Sequence, residues 1–394
     1  MENRIMMVLL AFVTGLARQS IANDSAPAPE SRPTSHTFQT AFDTAKHDSP
    51  ILLPVRFHGK EYSFIADTGS SLNVFDESFR PLLGKPIRKQ RVRTSEGLLS
   101  VELFESPEAY VGPFSLKSGV LVFCSNFETL RQTIGIDVYG IVGMAFLRNY
   151  IVEVDFDEGL ILMKEPVDRA RASLGRGIPI TYKDLWIPTI HASLPSGTAQ
   201  FMIDTGNMYT GTLEKGLFDR LSKTGVLTKM KQATVVLTPG GAKEVPQGRL
   251  AELRLGDFRH NDLVFTAGMH SDLGLAYLSR YKLVLDFPGK QVYLTRGKRY
   301  SDSDPLIQQS GLALRRVNND TIVIDVATGS PADIAGIRVD DVIVSILDRP
   351  AKEYRLVDIR RLVRSRMDAG ITFRIRRDGK EFDRIVRSAE GSRK

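Results

Sequence analysis

The pattern of apolar and polar positions changes character several times along the chain. Ile5 to Ala17 is mostly apolar, the length of the apolar region of an export signal and too short for a membrane span. From about residue 23 to 48 the chain is rich in Ser, Pro, Thr and Ala with little periodicity, which predicts a flexible linker. From Ile51 onward, short apolar runs separated by Gly, Pro and charged turns predict a β-rich body. After Arg299 the polar run Ser301-Asp302-Ser303-Asp304-Pro305 interrupts this pattern. Beyond it lie β-like runs at Gly311–Arg316, Thr321–Val326 and Asp341–Ile346. Leu356, Ile359, Leu362 and Val363 then fall at helical spacing within Tyr354–Met367, and Gly370 stops that helix. Two last β-like runs flank Asp378-Gly379, a hairpin turn signal.

Within the β-rich body one pattern occurs twice. Tyr62-Ser63-Phe64-Ile65-Ala66-Asp67-Thr68-Gly69-Ser70 returns 137 residues later as Ala199-Gln200-Phe201-Met202-Ile203-Asp204-Thr205-Gly206-Asn207. Further on, Ile141-Val142-Gly143-Met144-Ala145-Phe146-Leu147 has its counterpart in Asp272-Leu273-Gly274-Leu275-Ala276-Tyr277-Leu278. Each copy then runs into Asp-Phe, at Asp155-Phe156 and Asp286-Phe287, and turns into another strand. Two elements repeated in the same order imply duplicated lobes, not a solenoid.

The repeated Asp-Thr-Gly has a physical logic. An apolar strand delivers the carboxylate to a fixed place, Gly permits a tight turn and a close approach, and Thr can hydrogen-bond to the opposite loop. If two such loops meet about a pseudo-twofold axis, two carboxyls come together that cannot both ionise cheaply, so they share a proton. A water between them can lose a proton to one Asp while the other protonates a carbonyl. The aspartic-protease dyad is the standard example of such a pair.

At these residues the chain resembles the aspartic proteases. Phe64–Ser71 and Phe201–Gly206 look like the two active-site loops, and Ile141-Val142-Gly143 and Leu273-Gly274 like the segments that support them. The closest likeness is to the bacterial retropepsin-like type with two lobes on one chain, over about residues 50 to 297. The resemblance implies that Asp67 and Asp204 are catalytic. It also implies that Thr68, Gly69, Ser70, Thr205, Gly206, Asn207, Gly143 and Gly274 support the loops, with a β-hairpin flap over each side of the cleft. Ser95-Glu96-Gly97 and Pro239-Gly240-Gly241 are the candidate flap tips. The sequence departs from the family at Asn207-Met208, where Ser or Thr is usual after the glycine.

Gly311-Leu312-Ala313-Leu314, Ser330-Pro331-Ala332-Asp333-Ile334-Ala335-Gly336 and Asp340-Asp341-Val342-Ile343 together resemble a PDZ domain, with Asp340 where Gly is usual. The resemblance covers roughly residues 306 to 388. It implies that the backbone of Gly311, Leu312, Ala313 and Leu314 receives a C-terminal carboxylate beside a strand-and-helix groove.

Composition narrows the alternatives. The 394 residues carry a net charge of +7, with many arginines in the last third. No aromatic-interleaved motif accompanies them, so a nucleic-acid surface is not expected. Cys124 is the single cysteine, which excludes an internal disulfide and a Cys-based metal site; its apolar neighbours predict a buried strand residue. The six histidines lack metal-ligand spacing, and His58 and His260 fall in expected turns. Trp186 reads as packing, and Asp155 and Asp286 as strand-end turn residues. Ser20-Ile21-Ala22 places small residues where a signal peptidase cuts.

The expected fold is mainly β: a two-lobed aspartic-protease fold of two β-barrel-like lobes, followed by a PDZ-like α+β domain. The expected division is a signal peptide at 1–22, a linker at 23–48, lobe 1 at 49–168, lobe 2 at 169–300 and the PDZ-like domain at 306–390. The expected function is an exported aspartic endopeptidase, periplasmic or secreted. It would act on a polypeptide substrate and bind C-terminal tails through its PDZ domain. It would be monomeric, without metal, organic cofactor or stable membrane span. The competing class is a silent, protease-like scaffold that binds peptides without cutting them.

Overall fold

A computed structural model describes residues 11–12, 36–43, 49–94, 97–117, 119–166, 176–230, 234–238, 241–304 and 310–387. The expected signal peptide lies outside the described residues, apart from a two-residue strand, Ala11–Phe12, paired to Thr94 and Arg93.

The first lobe is built on a hairpin. Strand Leu52–Phe57 turns through His58 and Gly59, both at positive φ, into strand Lys60–Ala66. That pair of left-handed residues is what a two-residue hairpin requires. Alternation along the first strand sends Leu53, Val55 and Phe57 into the core, each contributing ~1.5–3 kcal/mol by burial. The second strand ends at Ala66 and delivers Asp67. Strand Gly140–Val142 then inserts beside it, parallel to Lys60–Ala66 and antiparallel to Val74–Asp76. The second lobe repeats the plan. Ile187–Leu194 pairs with Gly197–Ile203, and Asp272–Leu273 lies parallel to the latter and antiparallel to Gly211–Glu214.

A six-stranded sheet joins the lobes. Its centre is Ile151–Asp155 of lobe 1 paired along its whole length with Tyr281–Asp286 of lobe 2. One buried cluster, from Leu53 and Phe64 to Phe201 and Phe265, runs through both lobes and this sheet. The sheet also corrects the linker expectation. Thr37–Ala41, within the segment read as flexible, is a strand paired to Leu160–Lys164. Its Ser/Pro/Thr-rich surroundings hide two anchors, Phe38 and Phe42, which pack on the core, and tertiary pairing overrides local composition.

The C-terminal domain has a core of its own, formed by Leu312, Val323, Ile343, Phe373 and Ile375 under a helix at Leu356–Arg366. Its strands run in the order 312–317, 320–326, 342–346, 371–377, 380–386. The helix lies inside the expected span, and the Asp378-Gly379 turn joins the last two strands at positive φ. Asp340, at the usual glycine position, also has positive φ, a conformation that Asp tolerates better than most side chains. Among the described residues no helix is long and apolar enough to cross a membrane.

Candidate active site

Each Asp-Thr-Gly loop is held first by its own lobe. The Asp67 N–H donates to Val142 O and the Asp204 N–H to Leu273 O, both at 3.0 Å. The segments after Gly143 and Gly274 bind the backs of the loops. Met144 N–H reaches Ser70 O at 2.8 Å, and Leu275 N–H reaches Asn207 O at 2.7 Å. Gly143 and Gly274 are needed there, because an added Cβ would lie 2.3 Å from Leu72 O and from Tyr209 O respectively.

The loops then grip each other. Thr68 Oγ1 donates to Ile203 O at 2.6 Å and accepts the Thr205 N–H at 3.0 Å. Reciprocally, Thr205 Oγ1 donates to Ala66 O at 2.7 Å and accepts the Thr68 N–H at 3.0 Å. Each glycine lies against the other loop's acid. A Cβ on Gly69 would lie 2.5 Å from Asp204 Oδ1, and one on Gly206 2.5 Å from the Asp67 carboxyl. The two buried carboxyls are thus forced face to face.

Their electrostatics follow from that geometry. Burial pushes the Asp67 carboxyl well above the ordinary range, with the Asp204 charge adding to it. Burial also raises Asp204, but backbone N–H donors pull against it. Asp204 Oδ1 accepts from Gly206 at 2.9 Å and Asn207 at 3.1 Å; Asp67 Oδ1 accepts from Gly69 at 2.8 Å, and the Ser70 N–H also favours its charged form. Asp67 Oδ2 is buried with no hydrogen-bond partner among the described residues, a position better suited to a protonated oxygen than to a bare anion. Both carboxyls are thus raised, and the pair holds a proton between them more readily than two separate aspartates would.

Residues 53–146 match the family model for aspartyl proteases, and residues 322–377 match that for the PDZ domain. The chain carries an aspartyl protease domain and a PDZ domain. The protease match covers the first lobe, and the second lobe is tied to it by the repeat and by the mirrored hydrogen bonds. No curated protein matches the chain.

Hairpins form at both candidate flap positions. One pairs Arg88–Thr94 with Gly97–Phe104, the other Thr234–Thr238 with Gly241–Val245. Of the two tips, Ser95-Glu96 and Pro239-Gly240 lie outside the described residues.

In the PDZ domain, Gly311 has positive φ and backs onto Ser330, where an added Cβ would lie 2.2 Å away. Leu312, Ala313 and Leu314 are buried on the edge strand Leu312–Val317. Both walls of the expected groove, this strand and helix Leu356–Arg366, pack against protease helix Glu128–Ile134. Arg360 donates to Thr133 O and, at 3.5 Å, to Ile134 O at the end of that helix. The second protease hairpin also touches the PDZ domain, where Glu244 accepts from the Thr328 N–H and hydroxyl at 3.4 Å.

Other residues singled out in the sequence serve the scaffold. Cys124 is a half-buried strand residue whose thiol burial pushes up to about 12, too weak an acid to act as a nucleophile. Asp155 and Asp286 accept turn N–H groups, from Asp157 at 3.0 Å and Gly289 at 2.8 Å. The Arg148 guanidinium stacks 3.4 Å over the Trp186 ring. His260 is a correction. It is buried on strand Phe258–Gly268 and bonded to Tyr281 Oη at 2.5 Å. Its Asn261-Asp262 neighbours suggest a turn, yet the strand continues across them, with Asp262 taking up a positive φ. Asp272 is buried and hydrogen-bonded to Asn207, a place the sequence does not announce, because a two-residue strand shows no alternation to mark which way a side chain faces.

Proposed function

We propose that this protein is an exported aspartic endopeptidase with Asp67 and Asp204 as its catalytic pair. Its PDZ domain would receive the C-terminal tails of substrates or partners. The observation that carries the reading is the reciprocal grip of Thr68 and Thr205, which sets two buried carboxyls of raised proton affinity against one another. In the reaction, Asp204 takes a proton from a water lying between the carboxyls as that water attacks the peptide carbonyl. Asp67 gives its proton to the carbonyl oxygen. Collapse of the tetrahedral adduct returns that proton to Asp67, and Asp204 protonates the departing amine. No covalent enzyme intermediate forms, and the dyad ends as it began.

The test is cleavage of an unbiased peptide library by the mature protein, between about pH 3 and about pH 8, with Asp67→Asn and Asp204→Asn beside the wild type. Loss of cleavage by at least ~10³-fold in both variants is expected, since neither carboxyl can replace the other. Cleavage that survives both substitutions would sink the reading. A folded wild type that binds peptides at every pH without cutting them would favour the peptide-binding scaffold.

A further inference from the structure

The lobes match strand for strand around the dyad, so their differences stand out. In lobe 1 the residue after the glycine is Ser70, whose hydroxyl donates to Leu72 O at 2.9 Å. The residue paired to Ile65 on the inserted strand is Ile141. In lobe 2 the same two register positions hold Asn207 and Asp272, the latter paired to Met202. These two polar residues touch: Asn207 Nδ2 donates to Asp272 Oδ1 at 2.7 Å. The other end of the amide is fixed too, since Asn207 Oδ1 accepts the Tyr209 N–H at 2.9 Å. The Asn207 main-chain N–H in turn donates to Asp204 Oδ1. An unbroken path thus runs from Asp272 through Asn207 to the dyad.

Packing alone does not call for a carboxyl here, because Ile141 fills the matching place in lobe 1. Asp272 is buried, and its second oxygen meets the Thr212 hydroxyl. That hydroxyl has one proton and a second acceptor, His270 O at 2.8 Å. A proton on Asp272 Oδ2 reconciles the set: Asp272 donates to Thr212 Oγ1, which donates to His270 O. Burial favours that neutral form and the Asp204 charge adds to it, against the pull of donors from Asn207 and from the Thr212 N–H, which reaches Asp272 Oδ1 at 3.1 Å, and of the Thr212 hydroxyl. The groups facing Asp272 are Asn207 and Asp204 from the loop, Thr212 from the antiparallel strand and Met202 from the parallel one. Asp204 is the charged member of that set.

We propose that Asp272 is a positioning residue for the dyad: it orients Asn207 against Asp204 and places a third titrating carboxyl within the field of the pair. This rests on the proposed protease reading. When Asp272 ionises, its charge opposes the loss of the last dyad proton, so the singly protonated dyad persists to higher pH.

The test compares wild type with Asp272→Asn and Asp272→Ile. In Asp272→Asn the amide still accepts from Asn207 Nδ2 and still donates to Thr212, but it does not titrate. Carboxyl NMR with labelled aspartate should show the upper dyad titration moving acidward by about one pH unit, roughly tenfold in proton affinity. The alkaline limb of kcat/KM should move with it, while the acid limb stays in place. Asp272→Ile should also lower kcat by ~10–100-fold with little change in KM. Adding Asn207→Ser, which restores the lobe 1 pair, should recover kcat but not the alkaline limb. A dyad titration unchanged in Asp272→Asn would overturn the proposal. If wild type cuts nothing, the protease reading fails, and the NMR titration still decides the coupling. If Asp272→Ile does not fold, the Asp272→Asn titration decides it alone.

Discussion

Asp67 and Asp204 occupy the same place in the same three-residue motif, and burial raises the proton affinity of both. The N–H groups of Gly206 and Asn207 pull on Asp204 and those of Gly69 and Ser70 on Asp67, but burial outweighs them in both. Both carboxyls lie above their ordinary value, so between that value and the raised ones the native state holds more protons than the unfolded chain. Stability then falls as pH rises, because its slope follows the protons bound by the unfolded state less those bound by the native state. The contribution is fully present below about pH 4, the unfolded carboxyl value, and is lost through the folded values. Asp67→Asn should therefore be more stable than wild type at pH 7, by on the order of 1 kcal/mol, and level with it near pH 3.5. Denaturant melts at the two pH values check this, and an equal difference at both would contradict it. The dyad, its threonines and its glycines were legible in the sequence because the motif is written twice. Asp272 and His260 were not, because their surroundings come from strands distant in the chain.

At the scale of elements, the hairpins and the C-terminal helix follow from local signals. Thr37–Ala41 does not, since it exists only by pairing with Leu160–Lys164. The seating of helix Glu128–Ile134 against the strand and helix that would wall the expected PDZ groove was equally hidden, because contacts between domains leave no periodicity in either partner. That helix ends at Gly135, which has positive φ and where an added Cβ would lie 3.0 Å from Leu356 Cβ. Gly135→Ala strains the cap and crowds the PDZ helix, at about 1 kcal/mol. Peptide tails that compete for the groove should then bind about fivefold more tightly, as read by fluorescence polarisation with a library of C-terminal peptides. Unchanged affinity would mean that the helix end and the tails do not compete.

At the scale of the whole molecule, Ile151–Asp155 and Tyr281–Asp286 tie the lobes into one sheet and one core. The meeting of the two Asp-Thr-Gly loops is therefore an intramolecular event, set by an effective concentration instead of a dissociation constant. Cleavage per mole of protein should stay flat on dilution from about 1 μM to about 1 nM, and a fall in proportion to concentration would point to a site shared between chains. The same sheet also releases the loops from symmetry. In a homodimer with a twofold axis, any change in one loop is copied into the other. Here lobe 2 holds Asn207 and Asp272 where lobe 1 keeps Ser70 and Ile141. A duplicated chain can let one acid become the better base and the other the better proton donor, a division of labour that a symmetric pair can adopt only by breaking its symmetry on each encounter with substrate.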